Sequence, residues 1–368
     1  MTSELPPSVT IPPKTAMPVL GVENIPVPVD VADFSPSFRT ALRVLRPIVG
    51  DAAIHAAGTA APLERMQLRS DPPTVSACDA IEAPAVRRVQ AARATTVAAF
   101  LDGIQRSRVI GHVHGSPLVF GSVAAVIRQR EQRRLETWDV PRVQHALYAS
   151  RAELGDDTWS QLEASGLPLR DVAEAKSESD MLTHPLAVRG RALEQIAYER
   201  ERLERALAAE WCRREQRWLW IDGGISGNPA VDEHASAFGV VKSHRTLYGT
   251  PSVLRAVLTL REAERSPTFL VVHRARRAVV SWYLRLRETA SGDPLHGLVR
   301  VEVAPSMAVR DALHLDDHTR DIIGAQATLL SSWILAERRP LSLPDPRWDT
   351  LTYGVHACEM YLKALVGA

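Results

Sequence analysis

The stretch from Arg189 to Gly227 constrains the fold more than any other. It opens as RGRALEQIAYERERLERALAAEWCRREQ, rich in the strong helix formers Ala, Leu, Glu and Arg. Ile196, Leu203, Leu207 and Trp211 recur at helical spacing and predict a stripe that faces a core. This helix leads directly into RWLWIDGGISG. Trp218 to Ile221 form an apolar run closed by Asp222 and two glycines, the pattern of a buried strand that delivers one carboxylate. An echo lies earlier in the chain. Val97 to Gln105, VAAFLDGIQ, is again an apolar run, with Asp102-Gly103 expected at its end. The two motifs predict a fold that brings Asp102 and Asp222 together.

Elements on either side set the class. SRVIGHVHGSPLVFGSVAAVIRQR reads as a hairpin or meander of two or three strands. Beyond Asp222, AFGVVKSHRTLYG is a second apolar strand that places Lys242 at its end. Pro251 to Ala263 reads as a helix. Thr268 to His273, Ala278 to Leu286 and Leu298 to Val303 read as strands. Asp311 to Glu337 is largely helical, and a proline-rich loop then leads to a closing helix that carries His356. Strands, a long helix, then more strands and helices predict a mixed α/β domain. Glu131 to about Leu186 is polar, and its composition predicts a mostly helical insertion. Residues 1 to about 30 are dense in proline, which favours extended conformations. There VLGVENIPVPVDV reads as an edge strand, an arm docked on a partner, or a poorly ordered tail. Ser35 to Val49, with Ser35-Pro36 as cap and first turn, and Ala52 to Arg69 read as helices. No internal repeat, P-loop or dinucleotide fingerprint occurs.

Composition excludes several classes. The net charge is +1, so there is no bulk pull toward nucleic acid or membrane. Of the 44 basic residues only Lys14, Lys176, Lys242 and Lys363 are lysines. Arginine binds phosphate bidentately, although a GC-rich genome explains the bias as well. Cys78, Cys212 and Cys358 are odd in number and far apart. They suggest neither a disulfide framework nor a zinc site, and a reducing cytoplasm fits. No apolar run approaches a membrane span, and no signal peptide is expected.

An Asp-Gly pair after a strand either opens a turn or points a carboxylate into a cleft where glycine lets a ligand approach the backbone. Two carboxylates held together need a proton or a cation between them. Hard divalent ions prefer such oxygens, and a pair of ions can clamp a phosphodiester. Glu201 and Glu204 on the long helix are further candidate ligands, or else solvent-facing partners of neighbouring arginines. His356 is a ligand or a packed helix residue. Lys242 binds phosphate or lies on the surface. His112 and His114 have no third ligand nearby and read as structural.

The order of these segments resembles the NurA nuclease family: FLDGIQ, a glutamate-bearing helix, WLWIDGG, GVVKSHRTLY, SWYLRLR, GLVRVEV and the late YGVHACEMY. The resemblance covers about residues 95 to 368. It implies an RNase H-like mixed sheet flanked by helices, and a DNA nuclease dependent on Mn2+ or Mg2+. It also implies a homodimer working with a HerA-type hexameric ATPase, in DNA-end processing or antiviral defence. Carried over by position, Asp102, Glu204 (or Glu201), Asp222 and His356 would hold the metal. Lys242 and nearby arginines, Arg245 among them, would hold DNA phosphates. Ile104 and Gly224 stand where the family usually has a small hydroxyl residue, and Trp348 where it has tyrosine. Residues 1–90 would be an extension for partner docking, and residues 91–368 the nuclease domain, with the helical insertion at about 131–188. Two rival expectations remain. One is a catalytically inactive adaptor of the same fold. The other is a guide-dependent, Argonaute-type nuclease.

Overall fold

The computed structural model describes residues 38–50, 74–76, 78–132, 134–172, 184–273, 276–288, 293–306, 309, 315–338 and 350–366. The proline-rich arm, the Ser35-Pro36 cap, the helix expected over 52–69 and Trp348 lie outside them. The described elements fall within one compact unit, Ser35–Ala368, built on a 12-stranded mixed sheet flanked by helices. The elements in chain order are α1 (Phe38–Val49), β1 (Thr74–Ser76), β2 (Asp79–Ala80), β3 (Arg87–Arg88), β4 (Val97–Val113), β5 (Ser116–Glu131) and β6 (Arg134–Ala149). Then follow α2 (Arg151–Leu154), α3 (Asp156–Ala164), β7 (Leu169–Asp171), α4 (Pro185–Arg214), β8 (Trp218–Asp222), α5 (Pro229–Asp232) and β9 (Ala237–Val241). The last are β10 (Thr246–Tyr248), α6 (Pro251–Leu258), β11 (Glu264–Arg265), β12 (Phe269–His273), β13 (Arg276–Arg285), β14 (Leu298–Val303), α7 (Asp317–Glu337) and α8 (Tyr353–Val366).

The main sheet runs β2-β12-β13-β14-β9-β8-β4-β5-β6-β7, with β11 joining β13 to β3. β4, β5 and β6 form an antiparallel meander, whereas β8 runs parallel to β4, and β9 parallel to β8. The β4–β5 turn is His114-Gly115, with φ of 50° and 81°. Those positive values give the twist that a two-residue hairpin requires.

Packing follows the side-chain alternation of the strands. Leu101, Leu219 and Ile221 face α4, where Ile196, Leu203, Leu207 and Trp211 meet them as the helical spacing predicts. Phe100, Trp220 and Phe238 face the other way, against Leu330 and Ile334 of α7 and Val355, Cys358 and Leu362 of α8. A third cluster at the far end of the hairpin joins Leu42 and Leu45 of α1 to Ile110, Phe120 and Trp159.

Three expectations are corrected. First, β4 does not end at Asp102-Gly103; it runs 17 residues through them, because β5 pairs with it along that length. Second, the expected helical insertion begins with a long strand. β6 pairs with β5, and its exposed Arg134 and Glu136 are interleaved with the half-buried Leu135 and Thr137 ahead of the buried Trp138. Pro141 is tolerated beside a bulge, where the register shifts between Ala125 and Ile127 and Asp139 takes a φ of 54°. Among the described residues of that segment, helix appears in the short α2 and α3 and at the start of α4. Third, residue 90 is no boundary. β2 pairs with β12 and β3 with β11, and α1 contributes to a buried cluster.

Candidate active site

Asp102 sits in mid-β4 and is 8% exposed. Leu101 pairs in register with Ile221, so Asp102 stands beside Asp222 on the neighbouring strand. By alternation both carboxylates lie on the face that α8 covers. Chain direction changes sharply after Asp222. Gly223 takes a φ of +122°, which an L side chain rarely adopts, while its amide donates to the Val240 carbonyl at 2.9 Å. β8 therefore stops where β4 continues, which leaves a notch in the sheet.

Glu204 reaches that notch from the opposite face. Its carboxylate lies directly against the α-carbon of Gly103, closer than a Cβ could stand. The glycine after Asp102 thus serves close approach of a side chain, not a turn. Glu201 lines the cavity beside Glu204 but is ion-paired with Arg205 at 2.7 Å and half exposed. Of the two candidate helix glutamates, the fold brings Glu204 to the aspartates.

Burial and mutual repulsion dominate the electrostatics. Burial raises the Asp102 carboxyl well above the usual range; the Asp222 and Glu204 charges add to the rise, and Lys242 opposes it. Burial likewise pushes Glu204 up to about 7, with Asp222 and Glu201 adding to it and Arg200 opposing. Lys242, just past β9, sets its Nζ 2.9 Å from Asp222 Oδ1 and 3.0 Å from Oδ2. Arg200 donates to Glu204.

Asp102, Asp222, Lys242, Arg200, His356 and Glu359 line one cavity of about 170 Å³. Glu204, Asp222, Arg200, Arg205 and Arg276 line a second of about 160 Å³. Each has room for water. His356 Nδ1 is buried and accepts or donates no hydrogen bond. Glu359 Oε2 lies 3.9 Å from it. Arg245 is exposed, lines neither cavity, and its carbonyl accepts from Thr74 N at 2.8 Å. His114 lies in the hairpin turn.

The residues that depart from the expected motif have local causes. Ile104 lines the first cavity and packs on the α8-side core. A Cβ at Gly224 would come within 3.0 Å of Glu302 Oε2. That buried glutamate accepts from Ile225 N at 2.8 Å and pairs with Arg300. Sequence reasoning missed Glu302 and Glu359, and took Arg200 only as a surface partner of the helix glutamates. The pairing itself was legible, because Arg200 stands four residues before Glu204 on one helix face. Glu302 was not, since its partner is 77 residues away.

The donor set fits a hard divalent cation. Three carboxylates approach one notch, two of them penalised for carrying charge, and an unpartnered imidazole nitrogen lines the cavity that Asp102 and Asp222 share. A cation relieves the penalty that otherwise demands a proton. Among the described residues no three His, Cys, Asp or Glu side chains are drawn into a ready-made metal group; Lys242 and Arg200 occupy the oxygens of Asp222 and Glu204.

Fold and site together define an α/β protein with a carboxylate-rich notch in a large mixed sheet. The chain matches no protein-family model and no curated relative. Among the described residues no helix is long and apolar enough to cross a membrane.

Proposed function

We propose that this protein is a metal-dependent deoxyribonuclease with an RNase H-like fold, similar to the NurA family. The observation that carries the proposal is the placement of Asp102 and Asp222 in register on adjacent parallel strands, with Glu204 entering the same notch. The strand order β6-β5-β4-β8-β9, an antiparallel meander followed by two parallel strands, supports the fold assignment. Asp102, Glu204 and Asp222 would hold Mn2+ or Mg2+, with His356 as a further ligand or a group that orients water. When bound, such ions supply a nucleophilic water and stabilise charge on the phosphate. Lys242 and Arg200 stand ready to hold backbone phosphates. With a net charge of +1 the chain gains little affinity for DNA from bulk charge, which favours a dimer loaded by a HerA-type hexameric ATPase.

The test is cleavage of DNA with manganese, alone and with such an ATPase. Wild type should cut, and Asp222→Ala should lose at least about 10²-fold, the scale of removing one electrostatic stabiliser. Cleavage that Asp222→Ala leaves intact would rule out this site. One observation favours a second reading, an adaptor that docks on a motor or DNA without cutting: Lys242 and Arg200 already satisfy two of the carboxylates. Wild type that stays silent in every combination selects that reading.

A further inference from the structure

Two cations of the chain itself sit where an added cation would bind. The Lys242 ammonium caps both oxygens of Asp222, at 2.9 and 3.0 Å. Arg200 gives one guanidinium nitrogen to Glu204 and donates its Nε to Gln105 Oε1 at 3.2 Å. Both side chains line the cavity that holds Asp102 and His356. They differ from the two most deeply buried ion pairs among the described residues. Arg265 and Glu82 are 0% and 4% exposed, and Arg300 and Glu302 are 10% and 2% exposed. Lys242 and Arg200 keep 26% and 25% of their side chains in solvent. A charge at a cavity wall with its stem partly in water can swing outward at little cost, whereas a fully buried one cannot.

We infer that Lys242 and Arg200 are exchangeable counter-ions: a divalent cation displaces them from Asp222 and Glu204, and the displaced side chains then grip the substrate's backbone phosphate. This rests on the metal-dependent nuclease reading. An ammonium on both oxygens of Asp222 and a divalent ion on the same oxygens exclude each other by crowding and by like-charge repulsion. The exchange also makes the cleft more positive. Asp102, Asp222 and Glu204 face the two positive charges of Lys242 and Arg200. One divalent ion adds two positive charges, less any proton that it displaces from a carboxylate. The cleft thus attracts a phosphate more strongly once the cation has arrived. Binding of cation and of nucleic acid is therefore coupled, and by linkage each strengthens the other. Arg200 gains a role that no sequence motif assigns to it. Because it lines both cavities, it reaches a phosphate on either side of Asp222.

The experiment measures Mn2+ uptake by calorimetry on the full chain, with no nucleic acid present. Wild type is compared with Lys242→Met, Arg200→Met and the conservative Lys242→Arg, each checked for native circular dichroism. Removal of a competing charge should tighten Mn2+ binding about tenfold, a shift of one charge pair at a partly exposed site, while Lys242→Arg stays near wild type. A second measurement uses fluorescence anisotropy of a short phosphorothioate-linked DNA strand. Wild type should bind it several-fold more tightly with Mn2+ than with EDTA, and both methionine variants should lose most of that gain. Should Lys242→Met fail to fold, Arg200→Met and Lys242→Arg carry the same comparison. Mn2+ binding by the methionine variants that is unchanged or weaker overturns the exchange while leaving the nuclease reading in place. Strand binding to wild type that ignores Mn2+ overturns the phosphate grip. Wild type that takes up no Mn2+ overturns the nuclease reading and the exchange with it.

Discussion

Asp102, Gly103 and Glu204 show how much a single position can decide. A Cβ at residue 103 would run into the Glu204 carboxylate. Gly103→Ala should therefore cost about 1–3 kcal/mol, the usual range for overpacking, read as a lower denaturation midpoint. It should also push Glu204 out of the notch and lower cleavage by about 10²-fold, the scale of a small misplacement at a reacting centre. Glu204 also sets a pH dependence. Burial, reinforced by Asp222 and Glu201, holds it at about 7, against 4.5 for an ordinary glutamate. Between those values the folded chain binds more protons than the unfolded one, so stability is greatest below the lower value and is lost as pH rises through the upper. Asp102, also raised, acts in the same direction. In EDTA the melting temperature should fall between about pH 5 and pH 7. Glu204→Gln should flatten that slope; a slope that the substitution leaves alone would mean that Glu204 is ionised throughout.

At the scale of elements, the seating of α8 on β4 places the histidine. Gly354 lies flat on the Phe100 ring, with no room for a Cβ, and Cys358 Sγ donates to the Phe100 carbonyl at 3.3 Å. Phe100 is two residues from Asp102 on the same face, so the helix that carries His356 is registered against the strand that carries the aspartate. Gly354→Ala should lift α8 and cost about 1–3 kcal/mol. The thermal shift gives the cost, and loss of Mn2+ affinity without loss of overall helicity gives the site effect. The order of these elements was legible in the sequence, because each is a periodic run with clear punctuation. Their depth was not. β4 reads as a strand closed by Asp-Gly until β5 is seen paired along its full length, and the polar alternation of β6 reads as helix until its hairpin partner supplies the other half of the pattern.

For the whole molecule, the N-terminal strands are part of the body. Glu82, just after β2, holds the fully buried Arg265 through contacts of 2.7 and 3.0 Å, pairs with Arg87 at 2.8 Å, and accepts from Thr268 N at 2.9 Å. Arg265 in turn reaches the Gly324 carbonyl of α7. Glu82→Ala would leave a guanidinium buried without its counter-charge, a loss of about 3–5 kcal/mol. Chemical denaturation should show this as one cooperative transition at lower denaturant, because the network ties β11 to α7 and to residues flanking β2 and β12. A separate early transition for the N-terminal strands, with the remainder unchanged, would restore the division at residue 90.

The sequence by itself determined the mixed α/β class, the α4–β8 unit and the two aspartates, because local periodicity and an abrupt change from apolar to acidic are one-dimensional signals. It also limited the helix ligand to Glu201 or Glu204 without choosing. Tertiary structure made that choice, since only the stop of β8 beside a continuing β4 opens a notch, and only a glycine at 103 admits a side chain from the far face. It set Arg245 outside both cavities, because residues 242 to 245 leave the strand and carry the arginine into solvent. It also added Arg200 and Glu302, whose roles depend on what faces them across the fold. Chain order records what each strand can deliver; three-dimensional packing decides which deliveries meet.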